Sequence, residues 1–274
     1  MTNTIAFPAL GLEFTLNRVA FSLFGLNIYW YGIIIAFGFL LAVLYLNHRI
    51  TAFGFTSDHL FDCLLWAIPT AIIGARAYYV IFRWDYYSAH IHEIVSTRSG
   101  GMAIYGGVIG ALLAVSLYGL RKKLNIPSMF DVAAMGLLIG QLIGRWANFV
   151  NAEAHGGETD FILGMSINGG APVHPTFLYE SLWNLTGFCI LHVISKRHYR
   201  FRGQLFLGYL VWYGAGRFWI EGMRTDSLYI VGTGIRVSQL LSAAAAVVGG
   251  ILLYICFRRG IQTLNQLWNP HAKP

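Results

Sequence analysis

Apolar stretches close to the length of a bilayer crossing recur seven times along this chain, at roughly 27–47, 60–82, 104–120, 130–150, 177–195, 205–222 and 236–257. A helix needs about 20 apolar residues to cross a hydrocarbon core of about 30 Å. Hydrophobic residues make up 56% of the 274 and charged residues only 11%, against about 25% charged in soluble domains. A water-soluble fold is thereby excluded. The runs are rich in Leu, Ile, Ala and Gly and lack a period-2 alternation, which points to helices rather than to the strands of a membrane barrel. The expectation is an all-α integral membrane protein: a bundle of about seven transmembrane helices forming a single membrane-embedded domain over 1–274. The N-terminus lacks the basic segment, short apolar core and small-residue cleavage site of a signal peptide. The chain is expected to insert through its own spans.

Lys and Arg in the connections set the orientation. Arg121, Lys122 and Lys123 follow span three, and Lys196, Arg197, Arg200 and Arg202 follow span five. Arg258, Arg259 and Lys273 lie in the tail and Arg49 in the first loop, which puts 11 of the 19 basic residues on one side. The other side holds Arg18, Arg83, Arg98, Arg224 and Arg236, and the connection 151–176 holds none. The basic side is expected to be cytoplasmic, with the N-terminus outside and the C-terminus inside. The net charge of +7 then reflects topology and contact with anionic headgroups, not nucleic-acid binding. Two outer segments, 83–103 and 151–176, are long enough to carry structure of their own. The glycines of GGVIG, residues 106–110, read as helix packing. Cys63, Cys189 and Cys256 fall inside spans with no CxxC or metal-like spacing and read as small packing residues.

Three arginines, Arg76, Arg145 and Arg217, lie inside the spans. An arginine at the bilayer centre costs about 2.5–3.5 kcal/mol on insertion scales, less where it snorkels to the headgroups. All three stand in the later part of spans two, four and six, which run outward in this topology, so all three reach the outer leaflet. YWYG, residues 29–32, opens span one and Tyr105 opens span three at the same level, where an interfacial aromatic belt is also expected. Tyr213, Arg217 and Glu221 stand at i, i+4 and i+8, with Arg224 three residues on, and share a helix face. Arg145 and Asn148 likewise share one, and the chain leaves the membrane through Asn151 and Glu153. Guanidinium groups oriented by carboxylates and amides match phosphate oxygens bidentately, and the phosphate of the outer leaflet is a phospholipid headgroup. Two classes fit: a lipid-handling enzyme, and a phospholipid transporter or scramblase, which predicts polar groups through the depth of the bundle.

The segment GRWANFVNAEAHG, residues 144–156, resembles the signature of prolipoprotein diacylglyceryl transferases, GRxGNFxNxExxG. WYG in span one, GAR-YYV in span two, the GG repeats of span three, HPT-LYESLWN in span five, YG-GRF-IEG-RTDSL at span six and RVSQLLS follow in the order of that family. The resemblance covers nearly the whole chain. It implies a multi-pass enzyme of the bacterial cell membrane, active at the outer face. Such an enzyme moves the diacylglyceryl group of phosphatidylglycerol to the lipobox Cys thiol of exported prolipoproteins, forming a thioether and releasing glycerol 1-phosphate, without a cofactor or metal. Arg145 falls on the signature arginine that binds the lipid and Arg217 on the essential arginine of the YGxxRF block. Asn148, Glu153, Tyr31, Tyr213, Glu221 and Arg224 fall on further motif positions, and Arg76 of the GAR block joins the substrate-binding set.

The nucleophile comes with the substrate, as a thiol of pKa about 8.5 that must lose its proton. The leaving group gains charge, which fixed Arg donors would stabilise. The expected assignment is Arg145 to phosphate recognition and Arg217 to the departing phosphate, with Glu221 and Tyr213 orienting it. Two positions depart from the family pattern. Ala147 stands where the signature has Gly, and Tyr105 stands where many members carry a His proposed as the base. A phenol with a pKa of about 10 is a poor proton acceptor at neutral pH. Either Tyr105 hydrogen-bonds the headgroup, or the proton goes to His155 or His174. A non-catalytic lipid-binding member is the remaining alternative.

Overall fold

Seven long helices account for most of the chain: α1 (Trp30–Arg49), α2 (Ser57–Phe82), α4 (Ile104–Lys122), α5 (Ile126–Asn151), α6 (Thr176–Arg197), α7 (Gln204–Glu221) and α8 (Val237–Arg259), with a short α3 (Trp84–Tyr87) after α2. The structure, a computed structural model, describes residues 2–96, 100–227, 229 and 233–269. Arg98 and Lys273, used above for orientation, lie outside these. The helix limits follow the seven expected spans closely, because a chain in hydrocarbon must satisfy its backbone within each segment. Six of the helices are long and apolar enough to cross a membrane. The seventh, α7, has 18 residues and carries Arg217 and Glu221; at 1.5 Å per residue it spans about 27 Å, close to the core thickness. The chain is a multi-pass, mostly helical membrane protein of about seven spans.

Short strands add to the helical reading. β1 (Thr2–Phe7) pairs antiparallel with β2 (Leu12–Asn17) on one side and with β5 (Ser166–Ile167) on the other. β3 (Val19–Leu23) and β4 (Leu26–Tyr29) form a separate hairpin that runs straight into α1. In β1 burial alternates with the period of two expected of a strand: Ile5 and Phe7 turn inward onto Met165 and Phe177.

The residues gather into two compact units. Asn47–Met129 is one, and its centre is α2 against α4. A Cβ on Gly106 would collide with the Gly74 carbonyl, and one on Gly110 with the Thr70 carbonyl, so GGVIG is where two helix backbones touch.

Met1–Leu46 with Phe130–Pro274 is the other unit. Its helices are fastened at polar points. Trp183 of α6 donates its indole N–H to the Trp212 carbonyl of α7 and Trp212 donates back to the Trp183 carbonyl, each at 2.9 Å, with the rings stacked at 4.5 Å. Each ring lies against a glycine of the facing helix, Trp212 on Gly187 and Trp183 on Gly216, where a Cβ would collide with it. Trp146 of α5 donates to the Ser181 hydroxyl at 3.1 Å, which itself donates to the Leu142 carbonyl at 2.9 Å. Cys256 packs in an apolar cluster with Phe201 and Leu207, whereas Cys189 faces outward.

Asp131, in the second turn of α5 and fully buried, caps α7 from outside. Its carboxylate accepts from Gly203 N and Tyr199 Oη, each at 2.6 Å, and from Phe206 N at 2.8 Å. The first N–H groups of a helix have no partner within it, and here a carboxylate from another helix supplies one. Asp131→Ala is expected to destabilise the protein by about 1–3 kcal/mol for each donor left without a partner, and Asp131→Asn, which keeps one acceptor, by less. Thermal melting of both variants in detergent measures the difference.

Candidate active site

Glu180, in the second turn of α6, is the point on which three arginines converge. Arg145 Nη2 lies 2.6 Å from its Oε2. Arg217 Nη1 and Arg224 Nη1 lie 3.0 and 3.5 Å from its Oε1. Arg217 is held from a second direction by Glu221 one turn along α7, at 2.5 Å, as the i, i+4 spacing predicts. Arg224, just past the end of α7, is held by Asp226 through a two-pronged contact of 2.9 and 2.7 Å. Three guanidinium groups thus face three carboxylates, and Glu221 is itself fixed through its backbone carbonyl, which accepts from Arg236. The Glu180 side chain is only 5% exposed, whereas Arg145 keeps 22% and Arg217 16%, so both arginine side chains stay partly accessible.

The elements set this geometry. The Trp146–Ser181 bond lies one residue beyond the Arg145–Glu180 contact on each helix and holds α5 to α6 there. The Trp183–Trp212 clasp holds α6 to α7. Below the arginines, Asn148 connects Arg145 (Nη1 to Oδ1, 3.4 Å) to the Glu153 carboxylate (Nδ2 to Oε1, 3.1 Å), and Asn151 donates to the same oxygen at 3.3 Å. Backbone pairing then ties three sequence blocks together. Gly156 N bonds His174 O at 2.9 Å, His174 N bonds Gly157 O at 3.0 Å, and Gly157 N bonds Met223 O at 3.0 Å, beside Arg224. A Cβ at Gly156 would press on His174 and on the Met223 carbonyl, which explains the last glycine of the signature. Ala147 is fully buried, so its extra methyl is accommodated inside the bundle.

His155 and His174 therefore sit on a connection paired to the segment that carries Arg224. The His155 ring contacts Gly156 O at 2.9 Å and the His174 ring contacts Tyr179 Oη at 3.2 Å. Tyr213 stacks on Tyr209 and lines a narrow crevice of about 10 Å³ with Glu180, Asn184 and Arg217. Tyr31 stands in the first turn of α1, half-exposed.

Arg76 and Tyr105 belong to the other unit. Arg76 is buried, and its guanidinium donates to the carbonyls of Ile94, Glu93 and Gly101, each at 2.7 Å, and Gly100 at 3.2 Å. The rings of Tyr79 and Tyr87 flank it at 6.0 and 5.1 Å. It fastens the end of the 83–103 segment to α2. Tyr105 occupies the first turn of α4, partly buried.

Glu180 and Asp226 escaped the reading of the sequence. The signal for Glu180 was present: it is the one acidic residue of α6, in a chain whose spans hold three arginines that need counter-charge.

A multi-pass helical membrane protein with a charge-balanced arginine centre gathered at one end of its bundle is the class these features define. The sequence profile described as prolipoprotein diacylglyceryl transferase matches residues 18–255. Proteins named phosphatidylglycerol–prolipoprotein diacylglyceryl transferase are similar over most of their length. That of Finegoldia magna is 44% identical, with 90% of this chain and 98% of the relative covered. That of Geobacillus kaustophilus is 44% identical over 89% and 93%, and that of Listeria monocytogenes 46% identical over 87% and 90%. The chain belongs to the prolipoprotein diacylglyceryl transferase family and is a transferase of lipoprotein biosynthesis.

Removing Glu180 leaves buried guanidinium groups facing one another. Glu180→Ala is expected to cost about 3–5 kcal/mol, the range for stripping one partner from a buried ion pair, while Glu153→Ala at the exposed edge costs far less; melting in detergent separates the two. Beyond α7, burial disfavours the Arg224 cation, but Asp226, Glu180 and Glu221 outweigh it and raise its pKa. The Arg224 hydrogen bonds hold the Asp226 carboxyl below its usual range. A depressed carboxyl contributes stability above its unfolded pKa of about 3.9 and loses it as pH falls through the lower folded value. Asp226→Asn is thus expected to melt lower than the parent protein near neutrality, and to lose less melting temperature on acidification from pH 5 to about 3.

Proposed function

We propose that this transferase moves the diacylglyceryl group of phosphatidylglycerol to the lipobox Cys thiol of an exported prolipoprotein, forming a thioether and releasing glycerol 1-phosphate. The observation that carries the reading is the convergence of Arg145, Arg217 and Arg224 on one buried carboxylate, with the Arg145 and Arg217 side chains still partly exposed. Arg145, with Asn148 and Glu153 behind it, receives the lipid phosphate. The thiolate attacks the glycerol carbon that bears the phosphate, the C–O bond breaks, and the phosphate leaves as a monoester that gains charge. Arg217, oriented by Glu221 and Tyr213, stabilises that charge where it develops. The crevice beside them, about 10 Å³, is far smaller than the roughly 300–1,000 Å³ of small-molecule sites, so the phosphate takes over guanidinium donors that Glu180 holds in this structure. Tyr31 and Arg224 bound the headgroup, and Arg76 supports the transferase by fastening the 83–103 segment to α2. Tyr105 acts by hydrogen-bonding substrate, and His155 and His174, on the segment beside Arg224, are the candidate proton acceptors.

The proposal takes residues 1–274 as one membrane-embedded transferase domain of the bacterial cell membrane, N-terminus outside and C-terminus cytoplasmic. Its support is the bias of basic residues together with the β1–β5 pairing and the Arg18 bond to the Asn151 carbonyl at 2.7 Å. These join the N-terminal segment to the connection 151–176, which carries no Lys or Arg.

Purified protein incubated with phosphatidylglycerol and a lipobox peptide is expected to add a diacylglyceryl mass to the peptide and release glycerol 1-phosphate. Arg217→Ala should lower turnover about 10²–10³-fold, the effect of removing one donor from a developing oxyanion; near-normal turnover in a folded Arg217→Ala sinks the leaving-group role. Lipid binding without transfer marks a non-catalytic member. Tyr105→Phe losing activity while Tyr105→His keeps it assigns the tyrosine hydroxyl to the reaction.

A further inference from the structure

The β3–β4 hairpin exposes apolar groups that the fold does not need. Its two-residue turn places Phe24 at φ 49° and Gly25 at φ 78°. Both positions of such a turn call for Gly, Asn or Asp, and a bulky residue there is disfavoured. Phe24 is nevertheless present and 95% exposed, with Phe21, Leu23 and Leu26 around it each more than half exposed. In water this would be a contiguous apolar patch on a strained turn.

The hairpin lies beside the helix it precedes. Trp30 N bonds Arg18 O at 3.0 Å and closes its base. Asn27, Ile28 and Tyr29 of β4 line a groove of about 590 Å³ together with Tyr31, Gly32, Ile33 and Ala36 of α1. Ala36 is six residues into α1, about 9 Å along its axis, so the strand runs alongside the first two turns of a membrane span instead of prolonging it. Further along α1, Ile35, Phe37 and Phe39 are exposed as well. Tyr29, Trp30 and Tyr31 mark the level of an interfacial belt. The Ser22 hydroxyl donates to the Asn27 side-chain oxygen at 2.7 Å, but a two-stranded ribbon keeps unpaired backbone edges, which bars it from the hydrocarbon centre and suits the headgroup and upper acyl region. The groove carries no charged lining residue. Arg18 at the hairpin base reaches the Asn151 carbonyl, which places the hairpin at the end of α5 that carries Arg145.

We propose that the β3–β4 hairpin is a lipid-embedded finger, and that the groove between it and α1 holds one acyl chain of a phospholipid from the leaflet on the side of the arginine centre. The lining is uncharged, with Asn27, Tyr29 and Tyr31 as its only polar side chains, which suits an acyl chain. The inference stands on this placement alone and does not depend on the diacylglyceryl transfer.

The test places the photoreactive residue p-benzoylphenylalanine at position 24, at position 28 in the groove, and at position 13 in β2 as a comparison. Each protein is irradiated in phosphatidylglycerol/phosphatidylethanolamine vesicles, with a lipobox peptide present, and its intact mass is read. Adducts of phospholipid mass are expected at positions 24 and 28 and not at 13. Equal labelling at 13 and 24, or no lipid adduct at 24, overturns the finger, and peptide adducts in place of lipid overturn the assigned occupant. A Cβ at Gly32 meets open space, so Gly32→Leu fills the groove without a clash. It should keep the parent melting temperature and lower the adduct at 28 several-fold while leaving that at 24. An unchanged adduct at 28 overturns the acyl-chain site. Phe24→Gly, which suits the positive φ, should keep or raise the melting temperature, and a marked fall would show that Phe24 serves the fold.

Discussion

A guanidinium stays protonated at any physiological pH, so an arginine in a membrane span must be given counter-charge or hydrogen-bond acceptors within the protein. Here one buried carboxylate, Glu180, serves Arg145, Arg217 and Arg224 together. The residues come from α5, α6, α7 and the segment beyond, so the arrangement of those helices at this end is fixed by where one carboxylate lies. Each guanidinium has five N–H donors, and beside this single hub the Arg145 and Arg217 side chains stay partly exposed.

The surrounding packing holds this hub against thermal motion with neutral devices. The reciprocal Trp183–Trp212 bonds and the facing glycines set the separation of α6 and α7, and Trp146 on Ser181 sets that of α5 and α6. These contacts lie within a turn or two of the charges they position. The Asp131 carboxylate at the other end is used differently, its oxygens taken up by the N-terminus of α7.

How far the site was legible depended on whether its geometry is local. Arg217 and Glu221 are one turn apart on a helix, and their pairing follows from periodicity. The link of Arg145 to Asn148 follows in the same way. The seven spans were legible because a bilayer demands about 20 apolar residues per crossing. The N-terminal strands were not: TNTIAF is too short to register as a periodic run, and its inward face becomes apparent only once Met165 and Phe177 lie against it. Arg76 reads in sequence as one more arginine near the outer leaflet. Only the fold shows its donors taken by four backbone carbonyls of the 83–103 segment.

The sequence by itself determined that the chain lives in a membrane, where its helices begin and end, which family its motifs match and which arginines are out of place in lipid. Each of those follows from residue type and from spacings of seven residues or fewer, or from order along the chain. The tertiary structure decided that Glu180, 35 residues from Arg145 and 37 from Arg217, is their common partner, and that His155, His174 and Arg224 share one paired segment. Contacts across such separations depend on how helices pack and cross, and helical periodicity carries no information about which faces meet.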